Sequence, residues 1–265
     1  LTPTSTTVYT ATLTPTADGT ATISVDADLF TDAVGNTNAV ASTFDWVYDG
    51  TAPTMTITAV EGSDGFTSND ATLSLTFTSS ESTADFALED ITSSEGALSA
   101  FVATSTTEYT AIFTPASDGT ATISVAAPKF TDAAGNENAV SSTFDWVYDT
   151  TAPSVVVDDV LSNSVTPTLT GTIVEDLADL TSMSVVVGGV TYTLADSPTT
   201  LTIDDGKADT WSVTAATLAA GSYQVSAVAT DLAGNSSTEV GDLEIDLTAP
   251  TMTITSSGAS GFTSN

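Results

Sequence analysis

The stretch FDWVYDGTAPTMTIT (residues 44–58) decides how this chain is interpreted, because it returns twice. It reappears 100 residues later as FDWVYDTTAPSVVVD (residues 144–158), and a third version, EIDLTAPTMTIT, begins at Glu244. An aspartate lies just before T-A-P in every copy: Asp49, Asp149 and Asp246. Self-similarity at this spacing predicts a tandem array whose domains meet at the motif.

The rest of the sequence repeats in the same frame and gives the domain boundaries. Residues 4–53 align with residues 104–153 without a gap, and residues 51–69 return in shortened form as residues 248–265. We expect four units: residues 1–50, the C-terminal half of a repeat; 51–150, a complete repeat; 151–247, a complete repeat of a second subtype; and 248–265, the first strand or strands of a further repeat. Because the two end units lack their other halves, we expect a window cut from a longer array.

The charge of the chain limits its partners. The 265 residues carry 34 Asp and Glu against 2 Lys and Arg, a formal net charge of -32. So much negative charge disfavours nucleic acid and anionic membrane surfaces and favours cations. No apolar run approaches the ~18–20 residues that span a bilayer. Since the chain also has no Cys and no His, the usual nucleophile and base pairs are absent, and we do not expect an enzyme.

Alternation of apolar and polar residues predicts β-strands. Apolar side chains alternate with Thr, Ser or Asp over residues 71–78, 107–113, 120–125 and 143–148, and Gly-containing turn signals separate these segments. About seven short antiparallel strands in ~100 residues, without helical periodicity, predict an all-β fold of tandem immunoglobulin-like β-sandwiches joined end to end. Trp46 and Trp146 alternate in phase with their aromatic neighbours, so we expect both in the core and not on a ligand-stacking platform.

Two motifs relate the chain to a known group of proteins. One is D-[AL]-[AV]-G-N before the last strand, at residues 132–136 and 231–235, and the other is D-x-T-A-P at each joint. With these motifs the chain resembles the tandem bacterial Ig-like repeats of large surface adhesins and biofilm-associated proteins, over essentially its whole length. The resemblance implies an extracellular stalk at the cell surface, and several such repeats bind Ca²⁺ between domains.

The geometry of an immunoglobulin sandwich predicts where acidic residues meet. The B–C and F–G loops lie at the pole where the chain enters the sandwich, and the last strand of the preceding unit ends at that pole. We therefore expect Asp49, Glu81, Asp132 and an oxygen of Asn136 to converge at the first joint. The corresponding candidates further along the chain are Asp149, Glu175 or Asp176, Asp231, Asn235 and Asp246. Several hard oxygen ligands with tolerant geometry favour Ca²⁺, which would stiffen each joint.

Other interpretations of the acidic motifs remain open. D-x-x-G-N is also a good turn on structural grounds alone, because Asp caps the turn, Gly accepts positive φ and Asn tolerates the left-handed region. A second cluster, made by Asp64, Asn69, Asp70 and Asp118, favours solvated loop charge over an ion site. Asp204, Asp205 and Asp209 lie beside Lys207 and miss the EF-hand spacing, so they favour a hairpin turn.

Together these patterns favour a structural extender segment of an extracellular bacterial adhesin or filament. Its expected partners are calcium ions and neighbouring repeats, with lateral self-assembly through exposed edge strands as a further possibility. The alternatives are a phage or virion fibre or decoration module, and a glycan- or receptor-binding module. The last alternative needs exposed aromatic residues outside the strand phase, and the sequence offers almost none.

Overall fold

The structure is a computed structural model that describes residues 1–174, 179–194, 201–204 and 210–254. Its contacts divide the chain into two compact units. The first contains residues 1–66 and 70–148, and the second contains residues 67–69 and 149–265. Within the described residues the elements are β-strands apart from one short 3-10 helix, which confirms the expected all-β fold.

Residues 1–50 form two separate two-stranded antiparallel ribbons. Their strands are β1 Thr2–Pro3, β2 Tyr9–Thr10, β3 Gly19–Ile23 and β4 Phe44–Tyr48. Strand β1 pairs with β2, and β3 pairs with β4 from Gly19↔Tyr48 to Ile23↔Phe44. Asp49 follows β4 directly, so this ribbon fixes its position.

The first complete sandwich has two four-stranded sheets. Its elements are β5 Met55–Ala59, β6 Phe66–Ser68, β7 Leu73–Ser79, the 3-10 helix Leu88–Asp90, β8 Ile91–Ser93, β9 Gly96–Ala103, β10 Glu108–Pro115, β11 Gly119–Val125 and β12 Phe144–Tyr148. The strand orders are β5-β7-β10-β9 and β6-β12-β11-β8. This is the pairing of an immunoglobulin-type sandwich. The count exceeds seven because the first strand is split into β5 and β6 by a turn at Gly65, where φ is 80°.

Period-2 alternation places the core as expected. In β7, Leu73, Leu75 and Phe77 are buried and alternate with more exposed Ser and Thr. Trp146 is 0% exposed and stacks on Phe66, with ring centroids 6.1 Å apart. The predicted core position of Trp146 is therefore confirmed.

The same prediction was wrong for Trp46, which is 36% exposed, while its neighbour Phe44 is 63% exposed. Their sequence context is the same as that of Trp146. The difference lies in the opposite sheet, which in the first sandwich is β5-β7-β10-β9 and packs against β12 in one core. Of these four strands, only β10 and the end of β9 have aligned residues within 1–50, where they form the short ribbon of β1 and β2.

The second sandwich follows the same plan with an additional edge strand. Its strands are β13 Ser154–Val157, β14 Val160–Ser162, β15 Thr168–Val174, β16 Leu180–Val187, β17 Val190–Thr193, β18 Thr202–Asp204, β19 Thr210–Thr214, β20 Gly221–Asp231 and β21 Ser236–Ile245. The sheets are ordered β13-β15-β19-β18 and β14-β21-β20-β16-β17, and β14 runs parallel to β21. Trp211 lies at the centre of this core, 0% exposed, and donates its Nε1–H to Val156 O at 3.0 Å.

Candidate metal centre

Three carboxylates from three distant segments converge in the first unit. Asp49 follows β4, Glu81 lies in the loop after β7, and Asp132 lies in the loop between β11 and β12. One carboxylate oxygen of each residue lies within 4.8 Å of the other two. The structure therefore brings together the three acidic side chains that the sequence assigned to the first joint. Among the residues that the structure describes, this is the only such cluster of acidic side chains.

The loop at residues 132–136, here called a DxxGN loop, holds Asp132 rigidly. Asp132 is 7% exposed. Its Oδ1 accepts the backbone N–H groups of Ala134 at 2.8 Å and Asn136 at 2.9 Å, and its Oδ2 accepts Asn136 Nδ2 at 2.8 Å. Gly135 completes the turn with φ at 92°, a conformation that glycine adopts without strain. The carboxylate is thus fixed before any ligand arrives.

Hydrogen bonding and charge move the pKa values of these carboxyls in opposite directions. Desolvation raises the pKa of Asp132, but hydrogen bonds from the Asn136 side chain and from nearby backbone N–H groups lower it by more, so it lies below its ordinary value. The pKa of Glu81 is raised, mainly by desolvation and then by the negative charges of Asp49, Asp132 and Asp18. A bound cation would favour the charged form of Glu81.

Two contacts bring the Glu81 loop against the DxxGN loop. Thr83 forms an antiparallel bridge with Asp132. Asp85 accepts hydrogen bonds from the Thr83 hydroxyl at 2.7 Å and from both the N–H and the hydroxyl of Thr131. Sequence analysis did not single out Asp85, which uses its carboxylate to tie the two loops together. The carboxylate of Glu81 faces those of Asp49 and Asp132.

Asn136 clamps the site through its nitrogen. Its Nδ2 donates to Asp132 Oδ2 at 2.8 Å and to the backbone O of Asp49 at 3.2 Å. The amide nitrogen of Asn136 thus connects the DxxGN loop to the end of β4. The role of an Asn136 oxygen as a metal ligand stays a prediction.

Asp18 also belongs to this neighbourhood, and sequence analysis missed it. Its carboxylate accepts hydrogen bonds from Gly50 N at 2.8 Å and from the Thr51 hydroxyl, and these contacts lower its pKa. Asp18 aligns with Asp118, which the sequence placed in a cluster of solvated loop charge. The 100-residue alignment therefore marked the position of Asp18 but did not indicate its contact with the start of the next repeat.

Part of the predicted second set is described in the second unit. Asp231 is 2% exposed, and its carboxylate accepts Asn235 N at 2.7 Å and Asn235 Nδ2 at 3.0 Å. Asn235 Nδ2 also donates to Asp149 O at 2.9 Å. These contacts repeat the clamp of the first set. Glu175 and Asp176, the other predicted members, lie outside the described residues.

The aspartate before each T-A-P has a structural role of its own. The N–H of the threonine two residues later donates to Asp49 Oδ1 at 3.0 Å, to Asp149 Oδ1 at 2.9 Å and to Asp246 Oδ1 at 2.8 Å. This turn supports the structural interpretation of the D-x-T-A-P motif. The threonine N–H uses one lone pair of the aspartate Oδ1. Asp246 lines a cleft with Leu161, Ser162 and Asn163.

The other residues that the sequence singled out are described in part. Asp64 Oδ1 accepts Asp145 N at 2.7 Å, which joins its loop to β12. Asn69 clusters with the second unit and bonds to the loop at residues 231–235. Asp204 ends β18, whereas Asp205, Lys207 and Asp209 lie outside the described residues.

Asn138 is a further residue that sequence analysis missed. It is buried, its Oδ1 accepts the N–H groups of Lys129 and Phe130, and its Nδ2 donates to Ala126 O and Ala139 O. Asn38 makes the equivalent bonds in residues 1–50. The sequence G-N-x-N-A, at residues 35–39 and 135–139, repeats this asparagine. The sequence-based prediction considered only the first asparagine of the motif as a site residue.

The strand pairing and the repeated DxxGN turn define tandem immunoglobulin-like β-sandwiches. Residues 49–147 match a family model described as a bacterial Ig-like domain, and residues 151–247 match a second model with the same description. Together the two matches cover more than half of the sequence, and the chain therefore belongs to the proteins built from bacterial Ig-like domains. No curated protein matches the sequence.

Solved structures with distant similarity include several adhesins. A tetra-tandem repeat from the extending region of a large adhesion protein is 22% identical, with a TM-score of 0.35, over 87% of this chain and 57% of that one. Invasin, a bacterial integrin-binding protein, is 13% identical with a TM-score of 0.39, over 88% of this chain and 46% of that one. The Yersinia pseudotuberculosis adhesin InvE is 17% identical with a TM-score of 0.25, over 72% of this chain and 59% of that one. The chain thus spans about half the length of these proteins. The fold assignment rests on the family models and the strands, not on these distant similarities.

In the part of the chain that the structure describes, no helix has the length and apolar character needed to cross a membrane.

Proposed function

We propose that this chain is a non-catalytic extender segment of a bacterial surface adhesin or filament, and that Ca²⁺ bound near the D-x-T-A-P motifs stiffens it. Bacterial Ig-like domains in tandem support the extender role. The observation that carries the calcium part is the convergence of Asp49, Glu81 and Asp132.

The donor set fits a hard cation. All three side chains offer carboxylate oxygens, which Ca²⁺ prefers. The pKa of Glu81 is raised by desolvation and then by the negative charges of its neighbours, and a bound cation would offset both effects. Asp132 is preorganised by its loop, whereas Asp49 and Glu81 arrive on separate segments. Because the three ligands come from residues 1–50 and from two loops of the first sandwich, a shared ion would make bending of the chain at residues 49–53 cost coordination energy.

The concentration range suits an extracellular role. Extracellular calcium modules typically bind at about 10⁻⁴–10⁻³ M. At those affinities the sites would fill outside the cell and stay empty inside it, so the segment would stiffen on export. The location at the cell surface is part of this proposal.

A glycan-binding role gains no support from the exposed aromatic residues. Phe44 and Trp46 are exposed, but they occupy the positions of Phe144 and Trp146, which lie in the core of the first sandwich. Their exposure indicates an uncovered sandwich face and not a stacking platform.

Calcium-dependent thermal unfolding of the full chain tests the site. At a calcium concentration ten times the dissociation constant, linkage predicts stabilisation by about 1.4 kcal/mol. Glu81→Gln keeps the size of the side chain and removes its charge, so we expect calcium affinity at this site to fall by about tenfold or more, the effect of losing one charged ligand. Glu239→Gln, the same exchange at an exposed position on β21, serves as the matched control and should behave like the unchanged chain.

The mechanical part needs a separate measurement. Small-angle scattering of the full chain should give a longer and narrower distribution of interatomic distances in Ca²⁺ than in chelator. If Ca²⁺ stabilises the protein but leaves this distribution unchanged, the ion is structural and the stiffening proposal is wrong. If neither measurement responds to Ca²⁺, or if Glu81→Gln and Glu239→Gln behave alike, the calcium site itself is rejected.

A further inference from the structure

A two-residue segment, Ser68-Asn69, holds the DxxGN loop of the second unit. The backbone N–H of Asn69 donates to Ala233 O at 3.1 Å, and its Nδ2 donates to Asn235 Oδ1 at 2.8 Å. The Nδ2 of Asn235 in turn donates to Asp149 O and to Asp231 Oδ2. Asn69 therefore fixes the oxygen end of the amide group that clamps this loop.

The same two residues recur in the second sandwich as Ser162-Asn163. Ser162 ends β14 as Ser68 ends β6. Ser162 O accepts Asp246 N at 3.0 Å, just as Ser68 O accepts Asp149 N at 3.2 Å. The carboxylates of Asp246 and Asp149 then make the same turn with the following threonine. The backbone and carboxylate contacts next to Asn69 therefore recur next to Asn163.

One difference separates the two positions. Asn163 is exposed, and within the described part of the chain its side chain makes no hydrogen bond. With Leu161, Ser162 and Asp246 it lines an open cleft of about 400 Å³, here called the docking surface. Leu161 is 75% exposed in this cleft.

We propose that the docking surface binds the DxxGN loop of another bacterial Ig-like repeat, and that Asn163 is the residue that recognises it. By analogy with Asn69, the Asn163 N–H bonds the carbonyl of the third loop residue, and its Nδ2 bonds the Oδ1 of the loop asparagine. The Nδ2 of that asparagine then donates to the backbone O of Asp246.

The partner is a preformed structure in this chain. The loops at residues 32–36, 132–136 and 231–235 share one set of internal hydrogen bonds between their aspartate and asparagine. Little ordering is therefore needed for such a loop to dock, which favours recognition. The contact uses neutral groups and needs no cation, so it goes beyond the proposed calcium function.

The existing full chain gives the first test, carried out in chelator so that the result is independent of calcium. Asn69→Ala should speed hydrogen exchange of the backbone amides in residues 231–235 by about fivefold, the equivalent of one hydrogen bond. Asn163→Ala is the matched control and should leave these amides unchanged. If Asn69→Ala has no effect, a Ser-Asn segment does not hold a DxxGN loop and the proposal is wrong.

An extended chain gives the second test. Residues 248–255 are identical to residues 51–58, so residues 59–150 can follow Thr255 and add a complete repeat with its own DxxGN loop. The backbone amide of Asn163 should then exchange about fivefold more slowly than in the present chain. Changing the asparagine of the added DxxGN loop to alanine should restore fast exchange. Equal exchange with and without the added repeat would overturn the proposal.

Discussion

The pair Trp146 and Trp46 offers a direct test of what completes a repeat. Both lie in the sequence FDWVY, yet Trp146 is 0% exposed and Trp46 is 36% exposed. Trp146 contacts three aromatic rings, those of Phe66, Phe113 and Tyr148. Trp46 contacts only Tyr48, with centroids 5.8 Å apart, among the described rings. We expect Trp146→Ala to destabilise the first sandwich far more than Trp46→Ala.

The expected magnitudes follow from these environments. Replacing a fully buried Trp by Ala typically costs about 3–5 kcal/mol, because the lost transfer free energy is joined by a cavity. At position 46 no closed cavity forms, and one aromatic pair contributes about 0.5–1.5 kcal/mol. With an m-value of roughly 2 kcal/mol/M, a loss of 3 kcal/mol lowers the urea midpoint by about 1.5 M.

Hydrogen exchange of β11 across a urea series measures this difference locally. Trp146→Ala should shift the midpoint for residues 119–125 by about 1.5 M or more, whereas Trp46→Ala should shift it by no more than about 0.75 M. If Trp46→Ala shifts the β11 midpoint as much as Trp146→Ala does, Trp46 packs against the first sandwich and the assignment of an uncovered face is wrong. If neither shifts it, Trp146 does not carry the packing attributed to it.

Two further predictions concern the loops around the acidic cluster. Asn138→Ala removes one buried and three partly buried hydrogen bonds to the backbone and should lower the free energy of unfolding of the first sandwich by about 2 kcal/mol. Denaturant unfolding should show a smaller loss for Asn38→Ala, whose bonds are more exposed. Equal losses would contradict this reasoning. In metal-free buffer, the raised pKa of Glu81 means that its contribution favours folding at low pH and is lost as pH rises through that pKa, so stability should increase as pH falls from 7. Asp132 has a lowered pKa, so its contribution is lost on further acidification. Thermal unfolding measured from pH 7 to pH 3 should show the rise in stability in the unchanged chain and not in Glu81→Gln. Identical pH profiles of the two proteins would refute the raised pKa of Glu81.

Much of the candidate site was predictable because the sequence repeats. The position of Asp49 before T-A-P and of Asp132 in a turn before the last strand, combined with sandwich topology, sufficed to expect them at one pole. Glu81 followed from its place in the B–C loop. The roles of Asn136 and Asp18 did not follow, because the choice of an amide's nitrogen or oxygen, and the approach of a loop from the preceding repeat, depend on contacts between segments far apart in sequence.

The sequence by itself determined the strand pattern, the repeat length and the positions of the turns, since alternation, glycine and proline act locally. It could not determine which identical side chains are buried. Trp46 and Trp146 have the same neighbours along the chain, and only the presence of an opposing sheet separates them. Likewise, many carboxylates are available in so acidic a chain. Tertiary structure alone decided that Asp85 ties two loops together while Asp49, Glu81 and Asp132 face one another, because hydrogen-bond partners and like-charge neighbours are set by the approach of distant segments.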